Sequence, residues 1–197
     1  MNRTGKYQAI VIGTSAGGLF ALSNILTILP PDYPIPVIIA QHRSKDQPHL
    51  LEEVLQSKCR IRIKQADEKE KVESAFVYIA PPDYHLLIEE DRTFSLSCDP
   101  PVNHSRPSID VLFETAALAF GKTLIGIILT GANGDGARGI ATIKKMGGIT
   151  IAQDPADAQF PVMPQAAIAT NQIVYIRTLE EIGSFLLKIA NSNNENN

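Results

Sequence analysis

The sequence predicts an α/β fold with a doubly wound, mostly parallel sheet, helices on both faces and one β-hairpin insertion. Short apolar runs alternate with amphipathic stretches along most of the 197 residues, which is typical of parallel strands joined by helices. Several of these runs are continuously apolar, as expected for strands that are buried on both faces. One pair of short alternating runs, 85–90 and 94–97, interrupts the rhythm around a polar turn and predicts the hairpin.

Seven apolar runs are the predicted strands of the parallel sheet. In chain order they are residues 8–12, 36–41, 60–64, 76–80, 124–129, 149–153 and 173–176. Four stretches between them carry apolar residues at helical spacing. The expected buried stripes are Leu22, Ile25, Leu26 and Leu29; Leu50, Leu51, Val54 and Leu55; Val111, Leu112, Thr115 and Leu118; and Ile140, Ile143 and Met146.

The chain length and the spacing of the elements predict one domain, over residues 1–190. Segment 155–164 is expected to be irregular, and the polar stretch 191–197 is expected to be a disordered tail. No linker or internal repeat divides the chain.

Composition excludes several classes of function. The net charge of −3 and the lack of a Lys/Arg cluster argue against nucleic acid as a partner. No apolar run approaches about 18 residues and no secretory signal is present, so we expect a cytoplasmic protein without membrane insertion. The two cysteines are isolated and lack metal-ligand spacing, which favours reduced thiols in a cytosolic protein over a disulfide. We expect no metal and no cofactor.

The most informative local feature is Ser15, which lies in a glycine-bounded turn between the first strand and the first helix. Such a turn exposes the hydroxyl group at the carboxyl end of a strand, near the N–H groups of the incoming helix, as an activated nucleophile requires. A phosphate-binding loop and a plain helix N-cap are the alternatives. Neither the dinucleotide-binding glycine spacing nor a Gly-Lys-Ser/Thr motif is present.

Two further strands deliver chemically useful side chains to the same edge of the sheet. The second strand is followed by His42, a candidate general base. Asp135 and Asp154 follow later strands, and either could orient the histidine, because a nucleophile needs a base and the base needs an orienting group. Spacing alone does not choose between these two aspartates.

The chain resembles the catalytic domain of the chemotaxis receptor methylesterase family, CheB, from about residue 7 to residue 176. Several ordered motifs carry the resemblance together. They are segments 12–18, 41–42, 80–85, 106–113, 129–131, 135–139, 152–154 and 163–167. The resemblance implies a Ser-His-Asp esterase in which Ser15, His42 and Asp135 occupy the catalytic positions.

The resemblance also implies a substrate and its contacts. Family members hydrolyse glutamyl methyl esters on chemoreceptors, and many also deamidate receptor glutamines. Six further residues are expected to form the oxyanion and substrate contacts: Ala16, Gly17, Ala132, Asn133, Met163 and Arg106. Ala16 and Ala132 depart from the best-known enzymes, which have threonine and often methionine there, but backbone donation does not depend on those side chains.

The partners implied are the cytoplasmic helices of methylated chemoreceptors, with a receiver or methyltransferase protein as a further partner. Because the first predicted strand begins a few residues after Met1, we expect a catalytic domain that stands alone, without a receiver domain. Two alternatives stay open. One is an esterase that acts on something other than a chemoreceptor, and the other is a partner-binding module that has lost turnover.

Overall fold

The computed structural model of the chain describes residues 6–43 and 50–194. The elements of this part are, in chain order, β1 (Ala9–Thr14), α1 (Gly18–Leu26), β2 (Val37–Gln41), α2 (Leu50–Gln56), β3 (Arg62–Gln65), β4 (Phe76–Ile79), β5 (His85–Ile88), β6 (Phe94–Ser97), α3 (Ile109–Phe120), β7 (Leu124–Ile128), α4 (Ala137–Lys145), β8 (Ile149–Gln153), α5 (Val162–Ala169), β9 (Tyr175–Arg177) and α6 (Leu179–Asn194).

Seven of the strands form one parallel sheet in the order β3-β4-β2-β1-β7-β8-β9, while β5 and β6 pair as an antiparallel hairpin. The predicted fold class is therefore confirmed. The chain leaves β1 toward β2 and later returns to the other side of β1 with β7. The loops that follow β1 and β7 run to opposite sides of the sheet, and ligands of open α/β sheets bind at this point.

Helices cover both faces of the sheet, because the side chains of each strand alternate between two cores. In β1, Ile10 and Ile12 join the core formed with α1, α2 and α6. Ala9 and Val11 join the core formed with α3, α4, α5 and the hairpin. The central strands are buried on both sides, which explains their continuously apolar sequences.

The predicted stripe of α1 is correct, but that of α3 is wrong in phase. Helix α3 buries Ile109, Leu112, Phe113, Ala116, Ala117 and Phe120, whereas Leu118 is 67% exposed. The sequence of α3 is itself apolar on most sides of the helix, so periodicity alone does not determine which side faces the core. In the second and fourth stripes, Leu50 and Met146 are exposed. They lie at the end of a helix, where neighbouring elements provide little cover.

Two predictions about irregular segments need correction. Helix α5 begins at Val162, inside the segment expected to be irregular, and accommodates Pro164 in its first turn, where the missing N–H has no partner to lose. Helix α6 continues to Asn194, so residues 191–194 are helical rather than part of a disordered tail. Residues 195–197 lie outside the described part. Among the described helices, none is long and apolar enough to cross a membrane.

Candidate active site

Ser15 lies in the turn between β1 and α1 and is partly exposed. Its N–H donates to the carbonyl of Thr130 (3.0 Å), and its own carbonyl accepts from the N–H of Gly18 (2.9 Å). The turn passes through Gly17 at φ +78°, in the left-handed region that favours glycine. Gly17 is the N-cap of α1, so the alternative that Ser15 caps this helix is wrong.

His42 is brought beside Ser15 by the pairing of β1 with β2. Thr14 and Gln41 are register partners at the ends of these strands, and Ser15 and His42 are the residues that follow them. The N–H of His42 donates to the carbonyl of Thr14 (3.1 Å). The amide of Gln41 also donates to the carbonyls of Ser15 (2.9 Å) and His42 (3.0 Å), and thereby ties the two loops together.

Asp135 lies in the loop after β7 and contacts the imidazole of His42, with 2.8 Å between its Oδ2 and the ring Nε2. The carboxylate also caps α3, because Oδ2 accepts from the N–H of Ile109 (2.7 Å) and Oδ1 from the N–H of Asp110 (3.3 Å). Ser108 donates its hydroxyl to Oδ1 (3.0 Å). The positive end of a helix and several donors thus hold one buried carboxylate in a fixed orientation toward His42.

The hydrogen bonds keep Asp135 ionised in spite of its burial. Burial by itself raises the pKa of this carboxyl group. The hydrogen bonds from His42, Asn103 and Ile109, together with the charge of His42, outweigh that effect and leave the pKa below its ordinary value. A charged carboxylate at this position can select the imidazole tautomer with the proton on Nε2 and can stabilise the imidazolium cation.

Asp154, the other aspartate that the sequence left open, has a different role. Its Oδ1 accepts from the N–H of Ala156 (2.8 Å), which closes a turn after β8. Of the two candidates, therefore, Asp135 is the one that contacts His42.

Several N–H groups around Ser15 are available to a ligand. Within residues 6–43 and 50–194, those of Ala16, Gly17, Ala132 and Asn133 donate no hydrogen bond. The side chain of Asn133 instead accepts from the N–H of Asp135 (3.1 Å), which shapes the turn. Such N–H groups beside a nucleophile can hold the negative charge that develops on an attacked carbonyl oxygen.

The two side chains expected to contact substrate have other partners. Met163 is only 1% exposed and packs against Gly131, where it supports the turn, and its substrate contact stays a prediction. Arg106 donates to Asp83 (2.6 Å) and to the carbonyls of Cys98 (2.7 Å) and Asp99 (3.1 Å). These bonds hold its guanidinium group and anchor the loop after the hairpin, and its substrate contact stays a prediction.

A groove of about 220 Å³ opens beside the Ser15 loop. Phe20, Thr130, Gln153 and Gln159 are among its lining residues, and Gln159 also lies against Gly17. Phe20 is 65% exposed at the start of α1. The groove therefore offers an apolar ring and amide groups beside the loop that carries Ser15.

Sequence reasoning missed four residues that shape the site: Gln41, Asn103, Ser105 and Ser108. Gln41 and Ser108 directly precede His42 and α3, so their place next to a strand end and a helix start was a usable signal. Asn103 and Ser105 lie in a proline-rich loop far from His42 and Asp135 along the chain. No local pattern indicates their contacts.

A hydroxyl, an imidazole and a buried carboxylate at the carboxyl ends of parallel strands are the features of an α/β protein with a candidate hydrolase site. Residues 10–186 match the model of the CheB methylesterase family. The chain belongs to this family.

The relatives agree in fold and in name. The chain is 48% identical over 190 residues to a Leptospira interrogans protein provisionally named protein-glutamate methylesterase/protein-glutamine glutaminase, covering 96% of this chain and 98% of that protein. It is 42% identical to protein-glutamate methylesterase/protein-glutamine glutaminase 1 of Burkholderia pseudomallei, covering 89% of this chain but 49% of that longer protein. The crystal structure of the Thermotoga maritima CheB methylesterase catalytic domain superposes with a TM-score of 0.89 at 31% identity, covering 93% of this chain and 98% of that one.

Proposed function

We propose that this protein is a serine esterase that hydrolyses the methyl esters of glutamate side chains on chemoreceptors, with Ser15, His42 and Asp135 as its catalytic residues. The observation that carries the proposal is the 2.8 Å contact between His42 Nε2 and a buried Asp135 carboxylate, at the strand ends that also deliver Ser15. Family membership and the names of the relatives support the substrate class.

In the first half-reaction, Ser15 Oγ attacks the ester carbonyl carbon and His42 takes its proton at Nδ1, the nitrogen that does not face Asp135. The carbonyl oxygen becomes an oxyanion held by the free N–H groups of Ala16 and Ala132. His42 then returns the proton to the leaving methoxide, so that methanol departs and a glutamyl ester of Ser15 is left. Removal of one such donor typically costs about 3 kcal/mol of transition-state stabilisation.

In the second half-reaction, water replaces the serine as the attacking group. His42 takes a proton from the water, and the oxygen of the water bonds to the acyl carbon. The bond to Ser15 breaks, Ser15 regains its proton, and the receptor carries a free glutamate. A receptor glutamine can follow the same course with ammonia as the leaving group, and the relatives' second name, protein-glutamine glutaminase, favours that reaction as a further activity.

The proposed partners are the methylated cytoplasmic helices of a chemoreceptor, which places the reaction in the cytoplasm. A receiver or methyltransferase protein is proposed as a regulatory partner. The exposed Phe20 ring and the groove that it lines offer an apolar surface on which a receptor helix can pack.

Methanol release from a methylated receptor fragment tests the proposal. We expect release by the wild-type chain, none by Ser15→Ala, and normal release by Ser184→Ala, which removes an exposed hydroxyl from α6 as a matched control. Ammonia release from a receptor with unmodified glutamines measures the second activity. Methanol release that survives Ser15→Ala would contradict the mechanism. A folded wild-type chain without turnover or Ser15 reactivity would favour the partner-binding alternative.

A further inference from the structure

A tight turn reaches both members of the His42–Asp135 pair. Val102 and Ser105 exchange two backbone hydrogen bonds (3.2 and 2.9 Å), and Asn103 and His104 between them have φ values of +50° and +62°. Two successive left-handed residues form the turn type that closes the tightest hairpins, and they are uncommon for residues other than glycine. Such backbone outliers persist where the surrounding structure enforces them, and they concentrate at functional sites.

The side chain of Asn103 bridges two buried carboxylates. Its Nδ2 donates to Asp135 Oδ1 (2.9 Å) and to Asp110 Oδ2 (2.9 Å), so both hydrogens of the amide group are used. Asp135 is 1% exposed and Asp110 is 3% exposed. Because both partners are carboxylate oxygens, only the nitrogen end of the amide can face them.

The two carboxylates repel each other, and the hydrogen bonds from Asn103 lower the free-energy cost of keeping them close. Burial, with the neighbouring charge of Asp135, raises the pKa of Asp110, while hydrogen bonds from Gly139 and Asn103 act in the other direction. Among the described residues, His42 binds Asp135, and Arg138, which also pairs with Glu114, lies with its Nε 3.9 Å from Asp110.

We propose that Asn103 is a positioning residue for the reaction: its amide holds Oδ1 of Asp135 beside Asp110, so that Oδ2 alone faces His42. The effect that we expect on kcat rests on the proposed function. Ser105, at the other end of the same turn, has its hydroxyl 3.4 Å from His42 Nδ1. The turn therefore contacts the carboxylate on one side and the imidazole ring on the other, and we infer that it fixes their relative orientation.

Asn103→Gly removes the amide and keeps the turn, because glycine adopts a positive φ without strain. His104→Gly is the matched control. It places the same residue at the neighbouring, exposed position of the turn, and it keeps the bonds of Asn103 to the two carboxylates. For Asn103→Gly we expect kcat to fall by about 10- to 100-fold with KM within about twofold, as for small displacements of a catalytic group. His104→Gly is expected to keep wild-type kcat.

The imidazole N–H resonance of His42 provides a readout that does not depend on turnover. In the wild type, NMR should show the Nε2 proton shifted to low field by its bond to Asp135. In Asn103→Gly this resonance should move upfield or broaden, because Asp135 and Asp110 lose the donor that they share and Asp135 shifts relative to His42. In His104→Gly it should be unchanged. If both variants keep wild-type kcat and an unchanged resonance, the proposal is wrong.

Asn103→Asp decides the question if the glycine variant does not fold. At neutral pH it places a third carboxylate against Asp110 and Asp135, which removes the donor and repels both groups. On acidification this carboxyl group takes up a proton and can donate again. Its kcat relative to that of the wild type at the same pH should therefore rise as the pH is lowered. A ratio that does not change with pH would overturn the proposal.

A wild-type chain that releases no methanol would refute the proposed function, whereas the NMR comparison would still decide the role of Asn103.

Discussion

Replacing Asp135 by asparagine changes one oxygen to an amide, and the structure allows the consequence to be worked out. In the wild type, Oδ1 accepts from Asn103, Ser108, Asp110 and Gly136, whereas Oδ2 accepts from Ile109 and His42. An asparagine satisfies more donors if its carbonyl oxygen takes the Oδ1 position. Its NH₂ group then faces the N–H of Ile109 and the ring of His42.

Two effects of known size follow. The buried N–H of Ile109 loses its acceptor, which costs about 1–3 kcal/mol of the free energy of unfolding. His42 can keep a hydrogen bond to the new amide only as an acceptor at Nε2, which moves the ring proton to Nδ1 and blocks the nitrogen that must receive the proton of Ser15. The same tautomer error in serine proteases lowers kcat by about 10⁴-fold, and we expect a similar loss.

Methanol release at saturating receptor fragment measures the loss in kcat, and urea unfolding measures the loss in stability. Asp154→Asn is the matched control, because Asp154 closes a turn after β8 through Ala156, and we expect it to keep full activity. An Asp135→Asn variant within about tenfold of the wild type would refute the tautomer argument. So would an Asp154→Asn variant that is equally inactive.

Two further predictions concern stability. In Gly18→Ala the new Cβ would overlap Gln41 Oε1 and displace the amide that ties Ser15 to His42. We therefore expect a loss of about 1–3 kcal/mol in urea unfolding and a fall in kcat. Gly134→Ala, whose Cβ would meet Ala166 at an ordinary 3.5 Å, should be nearly neutral in stability; equal losses in the two variants would contradict the packing argument. The pKa of Asp135 is lower in the folded chain than its ordinary 3.8, so its stabilising contribution is complete above that pH and is lost as the pH falls through the folded pKa. The difference in the free energy of unfolding between wild type and Asp135→Asn should therefore be constant at neutral pH and shrink below about pH 4, and a difference that stays unchanged at low pH would contradict the pKa assignment.

The sequence predicted the sheet and the edge on which the site lies, because both depend on short-range patterns. Continuous apolar runs mark strands buried on two faces, and Ser15 and His42 directly follow two of them. Once β1 and β2 pair in parallel, these two residues must lie side by side. The position of Ser15 in its turn follows from the glycines that bound it.

The remaining features depend on contacts between distant segments. Asp135 and Asp154 each follow a strand, and what separates them is that the start of α3 packs against Asp135. The bonds of Asn103 to Asp110 and Asp135 link residues 7 and 32 positions apart, from a loop without periodicity. Met163 and Arg106 lie in motifs of the family, yet only packing shows that one is buried and the other is bound to Asp83.

The most direct test of the account is to locate the residue that reacts with a serine-directed phosphonate. Mass mapping of the treated wild-type chain should place a single phosphonyl group on Ser15. The modification should be lost in Ser15→Ala and strongly slowed in His42→Ala and Asp135→Asn, and Asp154→Asn should react like the wild type. Modification of a different residue, or labelling of Ser15 at an unchanged rate without His42, would contradict the claim that His42 and Asp135 activate this serine.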